Sequence, residues 1–291
     1  MPANKLDGKA LAATLRAEMK VTVAERTTNG TRPPGLAVVL VGDNPASHSY
    51  VRNKRKACEE VGIVSTLHER PADISQRELL ELIRQLNCDP EVHGLLVQLP
   101  LPPQIDELAV IEEIDPDVDV DCFHPENVGR LVAGRPRFYP CTPHGVVELL
   151  QRNGIALAGK EVVVVGRSNI VGKPLAMMLM QKPTQFNPAG GDATVTVVHT
   201  KTPDFAAVCR RADVLIAAAG RARLITPEMV KPGAAVVDVG TNPEQGKLVG
   251  DVDPRVADVA GWLSPVPGGV GPMTITMLLA NTIQASEMLD G

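Results

Sequence analysis

The chain has 291 residues, 44% of them hydrophobic and 22% charged, the composition of a folded globular protein with room for two domains. A net charge of −5 with one Trp, two Tyr and four Phe provides neither a basic surface nor a stacking platform, so nucleic acid is excluded as an expected partner. With no run of 18 apolar residues, no signal-like start in Met1-Pro-Ala-Asn-Lys-Leu-Asp7 and five scattered cysteines lacking Cys-x-x-Cys, a membrane partner, a disulfide framework and a metal site are not expected, and a cytoplasmic location is.

In chain order, the first assigned element is Gly35-Leu-Ala-Val-Val-Leu-Val41, an apolar β-branched run that reads as a buried strand. Gly42-Asp-Asn-Pro45 breaks it, and a helix follows to about Val61. That helix carries Tyr50-Val-Arg-Asn-Lys54. Residues four apart are neighbours on a helix surface, so the phenol and the amine share a face that continues through Ala57 and Val61. A lysine placed there either snorkels, as on any amphipathic helix, or loses its proton near neutral pH and trades it with a substrate. The surrounding Arg52, Arg55 and Lys56 read as a solvated basic face.

Ile63-Val-Ser-Thr-Leu67 alternates like a strand, and Ser75-Gln-Arg-Glu78 is a capping box opening a helix with Leu79, Leu82, Ile83 and Leu86 on one side. His93-Gly-Leu-Leu-Val-Gln-Leu99 is a third strand, stopped by prolines. Gln98 then stands at its carboxyl end, the edge where open α/β sheets bind ligands; its amide serves either a ligand or neighbouring backbone groups. Asp115-Pro-Asp-Val-Asp-Val-Asp121 lacks the glycine of a calcium loop and reads as an acidic strand or turn ending in Asp121. Residues 123–142 show no periodicity and read as the connection between two lobes. Thr142-Pro143 has the pattern of an N-cap followed by proline at the first helical position, opening a helix through Leu150.

From Glu161 onward the pattern is Rossmann-like. Strand 161–165 is followed by the turn Gly166-Arg-Ser-Asn-Ile-Val-Gly172, a helix over 174–180, and strands over 193–198, 214–217 and 234–239. Ser168 stands where the dinucleotide fingerprint expects its second glycine, so the turn alone is also compatible with a strand–turn–helix that binds nothing. The second strand ends in Val198-His-Thr-Lys201 without an acid for a ribose 2′-hydroxyl, whereas Arg167 can pair with a 2′-phosphate. NADP is therefore favoured over NAD. Residues 181–192 are long for such a connection and read as a surface loop. Pro265-Val-Pro-Gly-Gly-Val-Gly-Pro272 reads as an irregular loop, and residues 273–289 as the closing helix.

Five of these blocks together carry a family resemblance that covers nearly the whole chain. They are Ser49-Tyr-Val-Arg-Asn-Lys-Arg-Lys-Ala57, Gly94-Leu-Leu-Val-Gln-Leu-Pro-Leu-Pro102, Asp117-Val-Asp-Val-Asp-Cys-Phe-His-Pro125, Gly166-Arg-Ser-Asn-Ile-Val-Gly-Lys-Pro174 and Pro265-Val-Pro-Gly-Gly-Val-Gly-Pro-Met-Thr274. The sequence resembles the bifunctional methylenetetrahydrofolate dehydrogenase/methenyltetrahydrofolate cyclohydrolase family. The resemblance implies a two-lobe α/β protein: a folate-binding catalytic domain over 1–140, completed by 273–291, and a Rossmann-like NADP domain with a parallel sheet over 141–272. A cleft between the lobes and a homodimer are also implied.

By matching positions, Lys54 is the implied proton-transfer residue, Gln98 its hydrogen-bond partner, Tyr50 a stacking surface for folate and Asp121 a grip on the pterin. Pro267, Gly268 and Gly271 are implied on the folate side, and Gly166, Arg167, Ser168, Thr200 and Thr241 around NADP. Serine is more usual than Thr200 in the family, and isoleucine than Thr241; both departures bear on cofactor affinity. A shikimate-type dehydrogenase leaves Tyr50 and the 265–272 loop unexplained. A short-chain dehydrogenase would carry its Tyr-x-x-x-Lys after the cofactor turn. A catalytically silent NADP sensor is the remaining alternative.

Overall fold

The computed structural model describes residues 2–291. In chain order the first part contains β1 (Asn4–Lys5), α1 (Gly8–Thr28), β2 (Gly35–Val41), α2 (Pro45–Val61), β3 (Val64–Arg70), α3 (Gln76–Asn87), β4 (Gly94–Val97), α4 (Glu107–Glu113) and α5 (Pro125–Val132). There follow α6 (Cys141–Arg152), β5 (Glu161–Val165), α7 (Gly172–Met180), β6 (Thr194–Val198), α8 (Phe205–Arg210), β7 (Val214–Ala217) and β8 (Ala235–Asp238). The last are β9 (Asn242–Glu244), β10 (Lys247–Val249), β11 (Trp262–Leu263) and α9 (Val270–Asp290). The chain divides into two compact units, one comprising Ala13–Gly129, Arg137–Tyr139 and Ile275–Gly291, the other the residues up to Ala12 with Arg130–Pro136 and Pro140–Thr274.

The first unit is built on a three-stranded parallel sheet, β3-β2-β4. All seven residues of central β2 are buried, which is why that segment is uniformly apolar rather than alternating. Ala37, Val39 and Val41 on one face of β2 share a core with Leu79, Ile83 and Leu86 of α3 and Val110 of α4. The capping box forms as the sequence predicts, with Glu78 N–H donating to Ser75 Oγ at 3.3 Å and Ser75 N–H to Glu78 Oε2 at 3.0 Å. The end of α9 belongs to this unit: Asn281 Nδ2 donates to the Val120 and Tyr139 carbonyls at 2.7 and 2.8 Å.

The second unit carries a six-stranded sheet in the order β1-β11-β8-β7-β5-β6, all pairs parallel. Val165 pairs with Val198 and Ala217, and Ala217 with Asp238, so β5, β6, β7 and β8 end side by side. The loops that leave them therefore emerge at one carboxyl edge. The hairpin β9–β10 turns at Gln245-Gly246, φ 48° and 78°, the two left-handed residues of a type I′ turn.

Several sequence expectations need correction. The 123–142 connection contains α5, whereas residues 115–121 take the turn form of the two expected for them. Helix α6 starts at Cys141 behind Pro140, so Thr142 is not its N-cap; the Thr142 hydroxyl meets that of Thr274 at 3.0 Å instead. Pro143 still falls in the first turn, where no intrahelical N–H bond is lost. The same reason lets α9 begin at Val270 and include Gly271 and Pro272. The loop 181–192 is tethered: Gln181 Nε2 donates to the Leu131 carbonyl at 2.8 Å, and the Arg135 guanidinium lies over the Phe186 ring at 5.5 Å.

Candidate active site

Helix α2 is well specified locally. Asn44 accepts N–H bonds from Ala46 and Ser47, Pro45 occupies the first turn, and Gly62, at φ 88°, ends the helix in the left-handed conformation. Its buried face is Ser47, Val51, Ala57, Cys58 and Val61. Lys54 is half-buried at the margin of that face, one turn from Tyr50, which is 41% exposed. Lys54 Nζ donates to Gln98 Oε1 at 3.1 Å.

Gln98 directly follows β4. Its backbone N–H donates to the Val39 carbonyl at 2.9 Å and its Nε2 to the Leu99 carbonyl at 2.7 Å, before the cis Leu99–Pro100 peptide. Both tethers turn the amide oxygen toward Lys54. An ammonium and a neutral amine both have an N–H to give that oxygen. In the neutral state the amine's lone pair then points away from Gln98 and is free to take a proton. The Tyr50 ring offers an exposed apolar face suited to a planar ligand.

Asp121 stands in the turn after Val118–Val120, which packs on the amino end of β4; Leu95 N–H donates to the Val118 carbonyl at 2.8 Å. The following Cys122 is left-handed at φ 61°. The anchor of this turn is Asp119, only 2% exposed, whose carboxylate accepts from the N–H groups of Phe123 (3.2 Å) and His124 (2.9 Å) and from Asn127 Nδ2 (2.9 Å). Burial pushes Asp119 up to about 6, with the charge of Asp121 adding to the rise and the three N–H donors opposing it. Sequence reasoning singled out Asp121 and passed over Asp119; only the polar side chains at Asp119 and Asn127, in a segment rich in glycine and proline, hinted at a tertiary bond.

In the second unit, the turn after β5 explains its own sequence. Gly166 has φ 122°, and a Cβ there would collide with the Ala218 carbonyl; a Cβ on Gly172 would collide with the Gly166 carbonyl. The first and last glycines are therefore steric requirements. Ser168 departs from the glycine fingerprint because its Oγ accepts from the N–H groups of Val171 (3.2 Å) and Gly172 (3.3 Å), capping the first turn of α7.

Arg167, Ser168, Thr200 and Thr241 are all exposed and follow the ends of β5, β6 and β8. The structure thus gathers the five residues expected around NADP at one sheet edge. This edge fits a dinucleotide: the glycine turn lets backbone approach a ligand closely, and Arg167 supplies an exposed cation. Pro267, behind a cis peptide, Gly268, at φ 106°, and Gly271 follow β11 in the same unit, whereas Tyr50, Lys54, Gln98 and Asp121 belong to the first. Two more carboxylates at this edge went unnoticed in the sequence, buried Asp238 and Asp251. Burial pushes Asp238 up to about 6 against three backbone N–H donors.

Comparison with known proteins gives a consistent picture. Residues 6–121 match the tetrahydrofolate dehydrogenase/cyclohydrolase catalytic domain, and residues 140–289 match the NAD(P)-binding domain of the same enzymes. The bifunctional protein FolD of Geobacillus thermodenitrificans is 58% identical over 291 residues, 99% of each chain. The 5,10-methylenetetrahydrofolate dehydrogenase of the silkworm Bombyx mori superposes with a TM-score of 0.94 at 46% identity, over 98% of both chains. The methylenetetrahydrofolate dehydrogenase-cyclohydrolase of Trypanosoma brucei, solved with NADP and an inhibitor, gives 0.91 at 42% identity, over 99% of this chain and 98% of that one.

Proposed function

The chain belongs to the tetrahydrofolate dehydrogenase/cyclohydrolase family, and from that premise we propose how its residues divide the two reactions. The enzyme oxidises 5,10-methylenetetrahydrofolate to the 5,10-methenyl cation with NADP⁺ and hydrolyses the cation to 10-formyltetrahydrofolate. Folate chemistry is assigned to the first unit, with Tyr50 stacking on the substrate, Asp121 gripping the pterin and Lys54 moving protons. Pro267, Gly268 and Gly271 of the second unit are proposed as further folate-binding residues on the family resemblance. Gly166, Arg167, Ser168, Thr200 and Thr241 hold NADP, which when bound supplies the hydride acceptor. For that step the protein's task is alignment of the donor carbon.

Ring opening needs proton traffic. Water adds to the methenyl carbon and surrenders a proton to the Lys54 amine. The carbon–N5 bond then breaks as N5 takes the proton back from the Lys54 ammonium and the new hydroxyl releases its own proton to solvent, leaving the formyl group on N10. The observation that carries this assignment is the 3.1 Å bond from Lys54 to a Gln98 amide whose own Nε2 is held by Leu99. A proton carrier must keep its place in both of its charge states, and this acceptor serves both.

A homodimer is proposed on the family resemblance, and light scattering on the purified protein tests it. Cytoplasmic residence is supported by the buried Cys58, Cys122, Cys141 and Cys209, which are thiols and not disulfides. The functional assignment is tested by supplying methylenetetrahydrofolate with NADP⁺ and following NADPH together with transient methenyl absorbance. A folded protein without turnover would be a silent NADP sensor, and the residue assignment would fall.

A further inference from the structure

Asp251 is fully buried, and its carboxylate is met by four N–H donors. Oδ2 accepts from Ala219 at 2.6 Å and Gly220 at 2.8 Å, and Oδ1 from Arg221 at 2.8 Å and from Asn242 Nδ2 at 2.9 Å. Three consecutive backbone N–H groups aimed at one point form a nest that attracts an anion, and here the anion is the protein's own side chain. Asp251 is itself held from behind. Its backbone N–H donates to Asp238 Oδ1 at 2.8 Å, and Val252 and Gly240 N–H groups meet the same carboxylate at 2.9 Å each. Gly240 and Gly250 have no room for a Cβ, because it would run into Asp251 and Asp238 respectively.

The segments fixed in this way are those that border the proposed cofactor residues. The Ala219–Arg221 nest continues from Ala218, whose N–H donates to the Val165 carbonyl at 2.8 Å and whose own carbonyl is the group that leaves Gly166 no space for a side chain. Thr241 lies between Gly240, tied to Asp238, and Asn242, tied to Asp251. One buried carboxylate pair therefore sets both the wall beside the glycine turn and the loop that presents Thr241. We propose that Asp251 is a positioning residue for NADP: it holds the loops after β7 and β8 in the arrangement that receives the cofactor without touching the cofactor itself. This rests on the placement of NADP at Gly166, Arg167 and Thr241.

The consequence is selective. Hydride transfer needs NADP held in register, whereas ring opening of supplied methenyltetrahydrofolate does not. Asp251→Asn puts an N–H₂ among N–H donors, and losing one such charge-assisted contact within the chain shifts the loops away from the receptive arrangement by about tenfold or more. The expected result is a KM and a Kd for NADP⁺ raised about tenfold, with cyclohydrolase turnover of methenyltetrahydrofolate within about twofold of the starting protein. Asn242→Ala, which removes one of the four donors to Asp251 together with the Asn242 Nδ2 bond to the Val249 carbonyl at 3.1 Å and leaves the carboxylate buried, is expected to raise the KM for NADP⁺ roughly threefold, and it decides the matter if Asp251→Asn does not fold. Unchanged NADP⁺ binding in the folded variants, or equal loss of both activities, overturns the proposal. Arg167→Ala measured in parallel separates the premise: weakened binding there with none in the Asp251 and Asn242 variants sinks only the positioning role, and unchanged binding in all three sinks the cofactor placement.

Discussion

Lys54 Nζ donates to Gln98 Oε1 at 3.1 Å, and because Gln98 Nε2 is committed to the Leu99 carbonyl at 2.7 Å, the amide cannot turn its donor side to the lysine. Lys54→Met keeps an apolar stem on α2 and removes the Nζ that donates to Gln98 Oε1. Cyclohydrolase activity is expected to disappear while folding and NADP binding persist, measured as methenyltetrahydrofolate hydrolysis beside NADP⁺ titration. Ring opening at more than a few per cent of the original rate would remove Lys54 from its role.

Gln98→Met leaves Lys54 in place without its acceptor. Loss of orientation in a proton-transfer group costs on the order of a hundredfold in rate, so cyclohydrolase kcat should fall by roughly ten- to a hundredfold with a much smaller change in folate KM. A variant that loses folate affinity but keeps its kcat would make Gln98 a substrate contact and not a partner of Lys54.

Arg167 is exposed directly after Gly166, with no acidic residue at the end of β6 in Val198-His-Thr-Lys201. Charge-assisted hydrogen bonds contribute about 1.5–3 kcal/mol, so Arg167→Ala should raise the KM for NADP⁺ roughly ten- to a hundredfold and that for NAD⁺ far less. Equal effects on the two cofactors would refute pairing with the 2′-phosphate.

What could be read from the sequence follows from how local the deciding interactions are. β2, β5, β7 and β8 were legible because strands buried on both faces leave an uninterrupted apolar run. The Ser75/Glu78 capping box was legible because both partners lie within one turn. α5 was not: Leu131 is its deeply buried apolar side chain, Gly129 weakens its propensity, and Asp119 holds the segment preceding it from outside the helix. α1 spreads its buried Ala12, Leu15 and Val23 among threonines and charged residues, so no clear stripe marks it. In the candidate site, Lys54 was legible from its four-residue spacing to Tyr50 along one helix, and Gln98 from its place at the carboxyl end of a strand. Asp119, Asp238 and Asp251 were not, since their roles depend on which backbone N–H groups the fold turns toward them, and spacing does not encode that.

The last prediction concerns a buried histidine whose protonation the geometry forbids. His93 is 0% exposed; its Nδ1 accepts from Gly35 N–H at 2.8 Å, so the proton resides on Nε2, which donates to Asp290 Oδ2 at 3.0 Å. Asp290 also takes Arg32 Nε at 2.9 Å and Nη2 at 2.6 Å. A second proton on His93 would set an N–H against the Gly35 N–H. Burial holds His93 below its ordinary value, and the Arg32 guanidinium, aided by His93, holds Asp290 below the usual carboxylate range. For both groups the stabilisation is present above the unfolded pKa, near 6.5 for His and 3.9 for Asp, and is lost as pH falls through the lowered folded value. Acid therefore weakens this link from both sides. Asp119 and Asp238, pushed up to about 6, act in the opposite sense, so the quantity to measure is the difference between proteins. His93→Gln should cost about 1–3 kcal/mol at pH 7 through the imperfectly paired buried groups it leaves. Its urea midpoint should then fall less than that of the unaltered protein between pH 7 and pH 5. Parallel pH dependences in the two proteins would show that His93 does not carry the acid sensitivity.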